Sequence, residues 1–138
     1  MTVIKSLTPY SDERGNKIVI SDNASQIALA GDVTVFFGGE NNTLYLDSRA
    51  RVRSLNIRFD CNNGRFELGG NVGVGPFSGV LRVGEDSSIK VGDNVSCTTS
   101  VQISAVEGTE VVVGDDVMIA SNVKLRGDDG QRAHWSSY

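Results

Sequence analysis

The chain has 138 residues, 17 of them acidic and 13 basic, for a net charge of −4. That length suits one domain with a modest core, and the acidic balance, which no run of consecutive Lys/Arg offsets, speaks against a nucleic-acid or anionic-membrane partner. No stretch approaches the roughly 18 apolar residues of a membrane span, the start lacks the long apolar run of a signal peptide, and Cys61 and Cys97 make no disulfide framework, so a cytoplasmic protein with reduced thiols is expected.

In chain order, residues 1–43 read as an N-terminal cap and a first irregular coil. Residues 1–16 are expected to cover an open solenoid end. Ile18-Val19-Ile20-Ser21-Asp22-Asn23-Ala24 is a weak copy of a unit that recurs later. Val33–Phe37 reads as a strand, followed by a Gly/Asn turn over 38–42.

From residue 44 the unit is regular. Leu44-Tyr45-Leu46, Phe66-Glu67-Leu68, Ile89-Lys90-Val91 and Val111-Val112-Val113 each read apolar-x-apolar. A three-residue corner, polar or led by Gly, follows each, and then Ala50, Val72, Val95 or Val117. Starts 22 or 23 residues apart mark a solenoid. Within the units a six-residue step runs through Leu68, Val74 and Val80, through Val91, Cys97 and Ile103, and through Val113, Ile119 and Leu125, with Val83 and Ile89 a further pair.

Short strands alternate their side chains in and out, so a sharp corner every six residues keeps one aliphatic per side pointing inward. Gly, Asn and Asp suit those corners because they tolerate positive φ. The expected fold is an all-β parallel β-helix of about 22 residues per coil, regular over 44–126, with a loop and tail over 127–138. Three six-residue sides fall short of that coil, so the turn clusters at 61–64, 84–88 and 107–110 are expected to carry the excess on a third side, as long corners stacked along one edge.

The segment Val113-Gly114-Asp115-Asp116-Val117-Met118-Ile119-Ala120-Ser121-Asn122-Val123 resembles the hexapeptide-repeat acyltransferases, in particular the O-acetyltransferases acting on sugars and surface polysaccharides. The likeness spans about 44–126. It implies a left-handed coil, a homotrimer with sites between neighbouring chains, and acetyl-CoA as donor. In related sequences an Asp-x-His follows the strand. Here Asp129 fits the acid, Gln131 stands at the histidine's place, and the chain's single histidine, His134, lies three residues later.

By that resemblance His134 is the candidate general base for the acceptor hydroxyl, a role that suits a group with pKa near neutrality. Asp129 would orient it, and Asn122, Arg126, Asp128 and Trp135 are candidates for binding substrate. Further coils are expected after Tyr138, or a partner covering that end. Cys97 stands at an aliphatic anchor and reads as a small core residue. One histidine leaves no His-based zinc set, so no metal is expected. The alternative is a non-catalytic solenoid scaffold. A flat array of Thr is not expected, because Thr34, Thr43, Thr98, Thr99 and Thr109 fall at different repeat positions.

Overall fold

The computed structural model describes residues 2–127 and, for 132–135, the backbone alone. The chain winds into an all-β parallel solenoid of about 5 turns, roughly 22 residues apart. Its strands are β1 (Thr2–Ile4), β2 (Tyr10–Ser11), β3 (Lys17–Ile20), β4 (Ala28–Leu29), β5 (Val33–Phe37), β6 (Thr43–Leu46), β7 (Arg51–Phe59), β8 (Arg65–Leu68), β9 (Phe77–Val83), β10 (Ser88–Val91), β11 (Ser96–Cys97), β12 (Val101–Ala105), β13 (Glu110–Val113), β14 (Met118–Ile119), β15 (Lys124–Gly127) and β16 (Arg132–Trp135).

The strands collect into three walls. The first runs β1-β5-β7-β9-β12-β15, with β4 also on β7; the second runs β2-β3-β6-β8-β10-β13-β16; the third is the short pair β11-β14. The apolar-x-apolar units are the strands of the second wall. Ile18, Leu44, Phe66, Ile89 and Val111 are successive register partners, as are Ile20, Leu46, Leu68, Val91 and Val113. All ten are buried. Identical spacing stacks like on like, so each inward side chain covers its neighbour one rung away. The coil thereby buries a core that no single rung could enclose.

The cap is built from the first residues. β1 pairs antiparallel with β5 and β2 antiparallel with β3, where every later coil contact is parallel. Leu7 enters the core beneath them. Tyr10 stacks on Phe37 at 5.8 Å and Phe37 on Phe59 at 5.3 Å, which carries the aromatic column from the cap into the coils. Such stacked pairs add to the burial of their area.

Corners are satisfied by side chains as well as backbone. Asn16 and Asn42 are fully buried, and the Asn42 amide donates to Asn16 Oδ1 at 3.1 Å and to the Cys61 carbonyl at 2.9 Å, while its Oδ1 accepts from Gly64 N at 2.8 Å. Each buried polar atom is thus paired. At the edge joining the first wall to the second, Asn41, Asn63, Asp86 and Glu107 all adopt positive φ, near 58°, 60°, 51° and 56°. Asn63 donates from Nδ2 to Asp86 Oδ1 at 2.9 Å. These turn clusters are stacked corners along one edge, as expected, and the short side is the third wall instead.

The third coil departs from the six-residue reading. Val72, Val74 and Val80 are exposed, at 72%, 37% and 48%. The cause is one of phase. Residues 71–75 bulge outward, with the Asn71 amide donating to the Gly75 carbonyl at 2.8 Å. Val52 pairs with Phe77, 25 residues on; past an irregularity at residue 53 the partners on β7 and β9 are 24 apart, Ile57 stands opposite Leu81, and Leu81 takes the inward place. A one-residue shift turns every side chain of a strand over. The other six-residue series hold: Val91, Cys97 and Ile103, and Val113, Ile119 and Leu125, are all buried.

Where a loop and tail were expected over 127–138, β15 runs through Gly127 and β16 adds a further strand, with Ala133 opposite Val111 and Trp135 opposite Val113. Arg132–Trp135 lie one coil period beyond Glu110–Val113, so the same register continues.

Phe59→Ala removes the ring at the inner end of the aromatic column and should cost about 3–5 kcal/mol of unfolding free energy in a denaturant titration, from lost burial and the cavity left behind. Asp12 provides a pH signature. Burial would raise its carboxyl, but Asn16 N–H, the Tyr10 hydroxyl, the Asn16 amide and Arg14 N–H all donate to it and together hold it below the ordinary range. A depressed folded pKa stabilises above the unfolded value, about 3.9, and the benefit is lost as pH falls through the folded one. The stability gap between wild type and Asp12→Ala should therefore be constant above about pH 5 and shrink as pH is lowered below about 4.

Candidate functional site

In-register stacking sorts the outward side chains of the first wall into two rows. One row is Thr34, Asn56, Val80, Gln102 and Lys124; the next is Phe36, Arg58, Arg82, Ser104 and Arg126. Between them lie the inward residues Val35, Ile57, Leu81, Ile103 and Leu125, all buried, which fix the strands and so the rows.

Val80 and Ser104 are short, while Arg58, Arg82, Lys124 and Arg126 around them are long and cationic. The result is a shallow depression of about 480 Å³ on the outer face, bordered by Arg58, Arg82, Lys124 and Arg126. No carboxylate, imidazole or thiol lines it among the described residues. A chain of net charge −4 therefore carries a strongly positive strip on one wall.

Two of the guanidinium groups are held in place. Asp60 accepts from Arg58 Nε at 3.2 Å on one oxygen and from Arg82 Nε at 2.6 Å on the other. The Arg58 guanidinium also lies 4.3 Å over the Phe36 ring, a cation–π contact. Bonding through Nε turns both planar forks in a defined direction, which suits two-point recognition of a carboxylate or phosphate.

Of the residues singled out in the sequence, Arg126 lies on this strip. Asn122 stands instead at the corner between β14 and β15, exposed, with φ near 63°. Asp128 and Asp129 lie outside the described residues. The backbone of His134 pairs with Val112 and that of Trp135 with Val113, so both belong to the second wall, whereas Arg126 belongs to the first. Arg58, Arg82 and Lys124 were not anticipated. They are separated by 24 and 42 residues in sequence, and only the register brings them together. A detectable signal was the alternation in Arg51–Phe59 and Phe77–Val83, which places Arg58 and Arg82 on the polar side of their strands.

Cys97 is buried, and burial pushes its thiol above the ordinary value, against smaller opposing contributions from the Ser78 backbone and Arg53. Cys61 is exposed at a corner. Among the described residues no three His, Cys, Asp or Glu side chains cluster as metal ligands, and no helix is long and apolar enough to cross a membrane. Comparison with known protein families, with curated proteins and with solved structures finds no match to this chain.

An aromatic-disulfide titration should find one fast-reacting thiol in the native protein and a second only on unfolding, with Cys61→Ser abolishing the fast phase; a native Cys61→Ser protein that still reacts fast would contradict the burial of Cys97.

Proposed function

We propose that this chain is an acyl-CoA-dependent O-acetyltransferase acting on a sugar or surface polysaccharide, or a portion of one, working as a left-handed homotrimeric solenoid. The observation that carries the reading is the geometry of the fourth and fifth coils. Val91, Cys97 and Ile103, then Val113, Ile119 and Leu125, turn one buried side chain inward on each wall at six-residue steps. That is the pattern on which the resemblance to the hexapeptide acyltransferases rests. A shared fold does not by itself carry an activity, so the chemistry is assigned to named residues.

His134 acts as general base, taking the proton from the acceptor hydroxyl, with Asp129 orienting the ring. The acyl donor supplies an activated thioester carbonyl. Arg126, on the last rung of the first wall, has the right chemistry to face an anionic acceptor.

A second reading, a non-catalytic solenoid scaffold, is favoured by one observation: the depression on the first wall is lined by no group able to act as a base among the described residues.

Acetyl transfer to a panel of sugars, measured alongside calorimetric titration with acetyl-CoA, separates the two. The enzyme reading expects turnover and a fall of about 10²- to 10⁴-fold for His134→Ala. Turnover equal in wild type and His134→Ala removes that residue from the mechanism. A stable oligomer with neither turnover nor affinity for CoA establishes the scaffold.

A further inference from the structure

We propose that the cationic strip on the first wall binds a carboxylate-bearing polysaccharide laid along the solenoid axis. This goes beyond acetyl transfer and does not depend on it.

The strip is long and open. Arg58, Arg82 and Arg126 occupy the second, third and fifth positions of one outward row. With rungs about 4.8 Å apart, the row from Arg58 to Arg126 spans roughly 14 Å. Small-molecule sites are concave and bury most of their ligand. A shallow depression bordered by cations across several rungs fits an extended polymer better.

The charge pattern selects an anion. Four cations border the depression with no acid among its described lining residues; Asp60 aims two of the guanidiniums, and Asp32 lies on the adjoining hollow that shares Asn56 and Val80. The neutral groups between the cations, Asn56, Gln102 and Ser104, donate and accept hydrogen bonds, as a polymer with many hydroxyls requires.

Stacking surfaces are scarce. Sequence-tolerant binding of single-stranded nucleic acid uses exposed aromatic platforms. The one aromatic on these two rows, Phe36, is half-buried and covered by Arg58. A protein partner would need an apolar centre, and the rows offer only Val80 as an exposed aliphatic. A glycan with regularly spaced carboxylates matches both the cations and the hydrogen-bonding groups.

Binding of the full chain to polygalacturonate should be measured by fluorescence titration at fixed ionic strength, against the fully methyl-esterified polymer, polyglutamate, a single-stranded DNA oligomer and acetyl-CoA as competitor. The expected result is binding of the acid form, at least tenfold weaker binding of the ester, and a steep loss of affinity between low and moderate salt. Arg58→Gln/Arg82→Gln should weaken binding about tenfold or more and Lys124→Gln several-fold. Lys17→Gln, exposed on the second wall, should leave it unchanged. All four substituted side chains are solvent-exposed, and circular dichroism verifies that each variant keeps the fold. Equal affinity for acid and ester, or a double variant and Lys124→Gln that both bind like wild type, overturns the proposal. Tighter binding of polyglutamate or DNA reassigns the strip to another partner. Displacement of the polymer by acetyl-CoA at equal ionic strength makes it the donor site. Failure of acetyl transfer with retained polymer binding leaves this proposal standing and removes only the enzymatic one.

Discussion

In-register parallel stacking of inward side chains is the constraint on which everything else in this protein rests. Leu44 sits on Phe66, Phe66 on Ile89 and Ile89 on Val111, each pair held by matched backbone hydrogen bonds. Burial drives the stacking, and the period-two alternation of a strand couples it to the surface: once one row is inside, the rows beside it must be outside. The hydrogen-bond ladder then sets the spacing between rungs. Nothing about the outer wall is chosen independently of the core.

Polar side chains reinforce the same register at the corners. Asn94 donates to Asp116, Gly70 N and Asp93 N donate to aspartate oxygens one rung on, and Asn42 ties three rungs through Asn16, Gly64 and Cys61. Inside the first wall the hydroxyls of Ser54, Ser78 and Ser100 form a continuous ladder, at 2.7 Å between Ser54 and Ser78 and again between Ser78 and Ser100. Such ladders give each coil a polar partner at a fixed height. A slip of the coil would therefore break hydrogen bonds as well as packing. Where a coil does carry extra residues, at 71–75, the addition is expelled outward as a loop, and the ladder resumes at Phe77–Val83.

The positive strip on the first wall is a consequence of this periodicity. Arg58, Arg82, Lys124 and Arg126 make no basic cluster along the chain, and a count of charges gives an acidic protein. Folding brings them onto one face because each occupies an outward position, on the β7, β9 and β15 rungs of the same wall. Asp60 and Phe36 then restrict the guanidiniums of Arg58 and Arg82, so the strip presents oriented forks rather than loose charges. Net charge describes the molecule's average field, whereas a ligand meets the local one.

The repeat itself was legible in the sequence. Apolar-x-apolar units 22 or 23 residues apart, with Gly, Asn and Asp at fixed offsets, specify stacked parallel strands because spacing and burial are local properties that each unit carries alone. Cys97 as a core residue was readable for the same reason. The phase of the third coil was not: whether residues 71–75 bulge out or pack in depends on what the neighbouring rungs leave room for, and Val72, Val74 and Val80 look as aliphatic as the residues that are buried. Nor was the cationic wall visible, since its members are tens of residues apart and the 24-residue step between β7 and β9 had to be known before Arg58 and Arg82 could be set beside each other. Composition and period determined the solenoid; only the three-dimensional register decided which charges meet, because adjacency across rungs is created by the hydrogen-bond ladder and not by proximity along the chain.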